Sequence, residues 1–340
     1  MLVYRVLINH GELKTVCPIY LLFKKYSSRA EDFTVIQEAL NMEKKALRRF
    51  VSKRWLSVGP VCERIIENWA GLTKYFLKTE HSAPIKESSM FKRIATSLQE
   101  GNIMLARLHF IVSIANLFKP FLTKFQSESV SIHLLFEELA QAICQSRCTQ
   151  GQEWCSATVP LDSRPAEACE FGAHTLAVLK SLKKDSNPRL ALLQKDMIQF
   201  LKSSSKYLQQ RLPLKNEFLF NVQCLTPSKK GNAETNQMTR VLATSMPHLA
   251  SDLCFLDSVS TERRLYQADA DISPDWAVTH DDGVVPVDKY WARVFTLSER
   301  LGNPKYANLM VVVKAALCVI HGQADVERGF SLNKHIVDEG

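Results

Sequence analysis

Apolar residues recur along most of this chain at the spacing of a helix. Val61, Ile65, Trp69, Leu72 and Phe76 are separated by four, four, three and four positions, which places them on one stripe. Gly59 and Pro60 stand where that stripe begins, a place where proline's missing N–H costs least. The apolar-rich run from Phe91 to Leu117 predicts one long helix that Pro120 ends or kinks. "SIHLLFEELAQAICQ" predicts a further amphipathic helix. "FGAHTLAVLKSLKK" predicts another, which stops at "DSNP" and restarts with "RLALLQKDMIQFLKSSSKYLQQRL". Between these, "KTEHSAPIKESS" reads as a linker, Ser146 to Pro165 as loop, and "TPSKKGNAET" (226–235) as an exposed loop.

The pattern changes in the last third. "QADADISPDWAVTHDDGVVPVDKYW" is acidic, proline-punctuated and aromatic, and reads as loop leading into a helix at Asp288. "GNPKYANLMVVVKAALCVIHG" then gives the strongest helical signal of the chain. Asn303 is placed to cap it and Pro304 to open it. Tyr306, Leu309, Met310, Val313, Leu317 and Ile320 line one face. His321 and Gly322 end this helix, and Ala324 to Val337 makes a last one. The expectation is a mainly α protein with few strands, divided at 1–80, 90–255 and 256–340, with 90–255 as one continuous helical body.

Composition adds limits. A chain of 340 residues with 46% hydrophobic residues, 12 Gly and 13 Pro is globular and has room for two compact units. No apolar run reaches the length of a membrane span, the densest being broken by Lys314, so no membrane contact is expected. "MLVYRVLINHG" lacks the parts of a secretory signal. Nine cysteines without framework spacing point to reduced thiols in an intracellular protein. Cys144, Cys148 and Cys155 have poor zinc spacing, which His133 does not repair. Asp269, Asp271 and Asp275 lack the Gly and terminal Glu of a calcium loop and read as solvated. No metal, cofactor or small-molecule substrate is therefore assigned.

Charge is uneven. Residues 1–130 hold 20 basic and 11 acidic side chains, whereas residues 256–340 hold 9 and 13. A basic front favours a polyanionic partner. Its densest part is "EKKALRRFVSKRW". On a helix Lys45, Arg49 and Lys53 share a face at i, i+4, i+8, flanked by Lys44 and Arg48. Like charges so stacked repel unless an anion or water screens them. A phosphate backbone met by this face, with Arg54 and Trp55 directly after it, would gain both charge and stacking. The plain alternative is a solvated charged face, with Trp55 packed at the start of the next helix.

Several landmarks occur in a familiar order. "RWLS" at Arg54–Ser57, "RLPLKNEFLFNVQCLTP" at Arg211–Pro227, a Tyr266…Trp291 pair and the closing "YANL…VERGFSLNKHI" together resemble the hAT-superfamily transposases, from about Phe33 onward. The resemblance implies a remnant of an RNase H-like fold carrying a large all-helical insertion. It implies that Glu327 occupies the position of a catalytic carboxylate. It also implies a C-terminal dimerisation region, on which Tyr306, Leu309, Val313, Arg328, Phe330 and Ile336 are the expected contact residues of a homodimer. DNA as a partner and the nucleus as the location follow from the same likeness. The family's chemistry needs two further aspartates on strands upstream of the R-W motif. Only Asp32 precedes Arg54, in a stretch that reads as helix, and no zinc-finger spacing occurs. One carboxylate cannot hold two ions about 4 Å apart. Glu327 is thus expected to be a relict, in a catalytically incomplete, dimerising protein that contacts DNA. The alternative is a helical protein-interaction scaffold without a nucleic-acid role.

Overall fold

A computed structural model describes residues 19–24, 27–50, 57–81, 86, 88–125, 131–146, 171–249, 251–279 and 284–319. These residues are mainly α-helical. Their only extended pairing consists of two isolated antiparallel bridges, Val278 with Val284 and Ser298 with Pro304. They fall into two compact units. The first is drawn from Met1–Pro120 and Ala142–Arg211, the second from Phe121–Gln141 and Leu212–Gly340. The boundary expected near residue 255 therefore falls inside the second unit.

In the first unit, α1 (Ser27–Ala39) is followed by α2 (Val58–Glu67) and α3 (Trp69–Thr73). The predicted stripe holds. Val61, Ile65, Leu72 and Phe76 are buried, and Trp69 is half-buried. A π-helical turn, Lys74–Lys78, closes with Thr79 N–H donating to the Lys74 carbonyl at 2.9 Å. This wider turn buries the consecutive side chains of Tyr75 and Phe76 in an aromatic core. Phe23 lies 5.1 Å from Tyr75 and 4.9 Å from Phe33, and Phe76 lies 4.9 Å from Phe91, between ring centroids.

The long helix expected from Phe91 to Leu117 is two helices, α4 (Ser89–Gln99) and α5 (Asn102–Lys124). Gly101 separates them at φ +58°, a left-handed conformation that favours glycine. Pro120, expected to end or kink the run, does not end it: it lies inside α5, at the position where the chain leaves the first unit. By length and composition α5 alone among the described helices could cross a membrane, yet it carries nine buried residues in the protein's interior. Further on, α6 (Leu135–Ser146), α7 (Ala173–Lys184) and α8 (Leu190–Arg211) match their predicted positions. Gly172, at φ +85°, precedes α7, and a Cβ there would meet the Ser113 hydroxyl at 2.2 Å.

The second unit packs α9 (Glu217–Asn221), a 3-10 turn Val222–Leu225, α10 (Glu234–Thr244), α11 (Leu253–Ala268), α12 (Val287–Val294) and α13 (Ala307–Leu317) around one core. Asn216 caps α9 and Asp252 caps α11, their side chains accepting from the Leu219 and Phe255 N–H groups at 3.0 Å. Tyr266 and Trp291, apart in sequence, stack with centroids 4.9 Å apart, and the indole N–H donates to the Leu225 carbonyl at 2.9 Å.

Three expectations change here. The helix after Asn303 begins at Ala307, so Asn303 does not cap it and Pro304 does not open it. Its free N–H groups are taken by Glu262 of α11, whose carboxylate accepts from Asn308 N at 3.2 Å and Leu309 N at 2.7 Å. Asp269 is not a solvated loop residue. Its side chain is 5% exposed, bonded to Lys305 at 2.7 Å and to the Tyr306 hydroxyl. Burial works against its charge, but these hydrogen bonds prevail and hold its carboxyl below the usual range. The stretch 226–235 is shorter as a loop than expected, because Pro227–Lys229 is a 3-10 turn and α10 begins at Glu234. Within it Lys230 fastens the next segment, its ammonium donating to the carbonyls of Asp269 at 2.6 Å and Ile272 at 3.1 Å.

Candidate nucleic-acid interface

The basic run was expected on a helix, and residues 42–50 have no regular structure. Asn41, at φ +52°, ends α1. Two bonds then close the turn, from Asn41 N to the Glu38 carbonyl and from Met42 N to the Gln37 carbonyl, both at 2.9 Å. Beyond the turn, two backbone carbonyls that a helix would use are occupied by side chains. Gln37 Nε2 donates to Lys45 O at 3.3 Å, and Arg64 donates to Ala46 O at 2.8 Å. Gln37 is itself held by Asn68, at 2.6 Å in the interior. The run is thereby pinned as a strap, and Lys45 and Arg49 do not share a helix face.

The strap forms one side of a trough of about 470 Å³. Lys44, Lys45, Ala46 and Leu47 come from the strap. Ala30, Phe33, Thr34 and Gln37 come from α1, where their spacing puts them on one face. Tyr20, Phe23 and Lys24 complete it from helical residues 19–24. Among the described residues the lining thus combines three aromatic rings with three ammonium groups and contains no carboxylate.

The ammonium groups are accessible. Lys24 is exposed, close to the Tyr20 ring, and forms no ion pair with another described residue. Lys44 pairs with Glu38 at the surface. Lys45 pairs with Glu43 at 2.7 Å and more loosely with Glu67 at 3.7 Å. The hydrogen bond to Glu43 raises its basicity above the ordinary lysine value. Exposed pairs of this kind contribute little, because solvent screens them, so another anion can replace them.

Of the remaining expected site residues, Arg49 is exposed on the strap but does not line the trough. Lys53, Arg54 and Trp55 lie outside the described residues, as do Glu327, Arg328, Phe330, Ile336 and the last predicted helix. Tyr306, Leu309 and Val313, expected on a face offered to a partner, are instead 2%, 0% and 0% exposed within the second unit's own core. Asp32 stands exposed on α1. His133 is buried, and Cys148 and Cys155 are outside the described residues. No group of three or more potential metal ligands occurs among the described residues.

Tyr20, Phe23 and Lys24 were missed in the sequence reading. A signal was present in "IYLLFKK", where Ile19, Leu22 and Phe23 follow helical spacing and are all buried. Compared with known proteins, the chain matches no family model, no curated protein and no solved structure.

Proposed function

We infer that the chain is a transposon-derived, hAT-transposase-like protein that contacts DNA and pairs with a second copy of itself in the nucleus, without catalysing strand cleavage. The trough carries the DNA reading, because it gathers cations and aromatic rings on an accessible surface, and the carboxylates paired with two of its lysines are exposed ones that a phosphate can replace. The order of the R-W, Tyr…Trp and E-R-G-F-S landmarks supports the origin, including the reading of the helices as a remnant and insertion of an RNase H-like fold. For catalysis, Glu327 would need two further carboxylates on strands. The sole aspartate before Arg54 is Asp32, on an exposed helix face.

The test is binding of the full chain to duplex DNA across a salt series. Three phosphates neutralised would lower affinity roughly forty-fold between about 50 and 200 mM salt. Purified protein with Mg²⁺ or Mn²⁺ leaves supercoiled DNA intact on this reading. Salt-independent absence of binding would favour a helical interaction scaffold. Metal-dependent nicking that Glu327→Ala abolishes would restore an enzyme.

A further inference from the structure

We propose that the trough between residues 19–24, α1 and the strap seats one unpaired nucleotide of a single-stranded nucleic acid. This rests on the DNA-contact reading and adds the form of nucleic acid and the residues that select it.

Size comes first. About 470 Å³ lies within the roughly 300–1,000 Å³ of small-ligand sites. In a duplex each base is stacked and paired inside the helix, so a trough of this size can take a base only after it has left the stack. Chemistry comes second. A nucleotide presents a flat ring and an anionic group a short distance apart, and the lining offers both counterparts. Tyr20, Phe23 and Phe33 give aromatic surface, while Lys24, Lys44 and Lys45 give positive charge. Phe23 and Phe33 are themselves packed into the aromatic core, their ring centroids 4.9 Å apart, and Phe23 leans on Tyr75. They form a preset floor. Tyr20 is half-buried and accessible, which makes it the ring available for stacking.

Mobility comes third. The strap is fixed from behind, through its Lys45 and Ala46 carbonyls, by Gln37 and Arg64. Its backbone is therefore held while the lysine side chains are left to exchange Glu38 and Glu43 for a phosphate. An acidic peptide would satisfy the ammonium groups but leave the rings unused, so the aromatic side chain is the discriminating element.

The experiment compares fluorescein-labelled dT12 with a 12-base-pair duplex by anisotropy, using the full chain. Tyr20→Ala is expected to weaken dT12 binding roughly 5- to 150-fold, the equivalent of one lost base–aromatic stack. Duplex binding should be unchanged. Tyr20→Phe keeps the ring and should bind dT12 as the parent does, which separates loss of stacking from loss of folding. Lys24→Glu with Lys44→Glu should abolish the preference for dT12, whereas Lys180→Glu, an exposed change on α7, should not. Equal binding of both DNA forms with no effect of Tyr20→Ala overturns the trough proposal and leaves the DNA-contact reading standing. Displacement of dT12 by poly-glutamate at equal charge concentration also overturns it, in favour of an acidic-peptide site. Failure to bind either DNA overturns both.

Discussion

Arg263 shows how far a single residue can depart from its sequence appearance. In "STERRLYQA" it resembles its neighbour Arg264, which is exposed, yet Arg263 is 0% exposed. Its guanidinium lies 4.8 Å from the Tyr266 ring and donates to the Cys224 carbonyl at 3.0 Å. Its Nε and Nη1 have no hydrogen-bond partner among the described residues. Burial lowers its basicity and raises that of the Cys224 thiol beside it. The Tyr266 and Tyr290 hydroxyls share a 2.7 Å hydrogen bond in the same interior, and burial pushes both upward. The charge itself is a cost here, while the side chain's volume fills the core. Arg263→Ala should therefore destabilise the protein by about 3 kcal/mol or more in urea unfolding, through lost packing. Arg263→Met keeps most of the volume without the charge and should cost about 1 kcal/mol or less. Equal losses in the two variants would mean that the cation, not its bulk, holds the core. A periodicity argument cannot find such a residue, because it assigns arginine to the polar face by type.

Among the elements, the helices were legible wherever burial follows a period of 3.6. α2, α6, α7 and α8 fall where their apolar spacing puts them, and α12 begins within one residue of the expected Asp288. What was not legible is how a helix is stopped or started by a residue far away. The basic run has good helix formers, but the turn at Asn41 and the side chains of Gln37 and Arg64 take over its backbone. α13 gives the matching case at a helix start. The local sequence nominates Asn303, whereas the cap comes from Glu262, 46 positions earlier than Asn308. That carboxylate accepts from two backbone N–H groups and from the Asn308 amide at 2.7 Å, at the positive end of the helix. Glu262→Ala should lower stability by about 1–3 kcal/mol. Asn303→Ala should change it by about 0.5 kcal/mol or less, as expected for a surface substitution. Thermal unfolding of the two variants side by side decides between the remote and the local cap. The trough was half legible for the same reason: Lys44 and Lys45 stand in a visible charge run, but Lys24 and the aromatic floor come from other segments.

For the whole molecule, burial of Tyr306, Leu309 and Val313 moves the question of self-association to other residues. These three form the core of one chain, so charged substitutions there would unfold the second unit before they could report on a dimer. The pairing we propose depends on Arg328, Phe330 and Ile336. Sedimentation at micromolar concentration should give a dimer that Phe330→Asp converts to monomer without loss of helicity. A parent protein that is already monomeric, and unchanged by Phe330→Asp, would end the self-association reading.

The chain's division has a consequence for how it folds. The second unit needs Phe121–Gln141, which supplies Ile132 to its core, together with residues from Leu212 onward, and the stretch Ala142–Arg211 between them belongs to the first unit. During synthesis Ile132 must wait for its partners, Leu219 to Ala316, until the first unit's chain is complete. Bringing the two parts of the second unit together across an unstructured stretch of that length costs about 4 kcal/mol in loop-closure entropy. The second unit's core therefore depends on pairings of large sequence separation, and its closure is expected to be a late, slow step of folding.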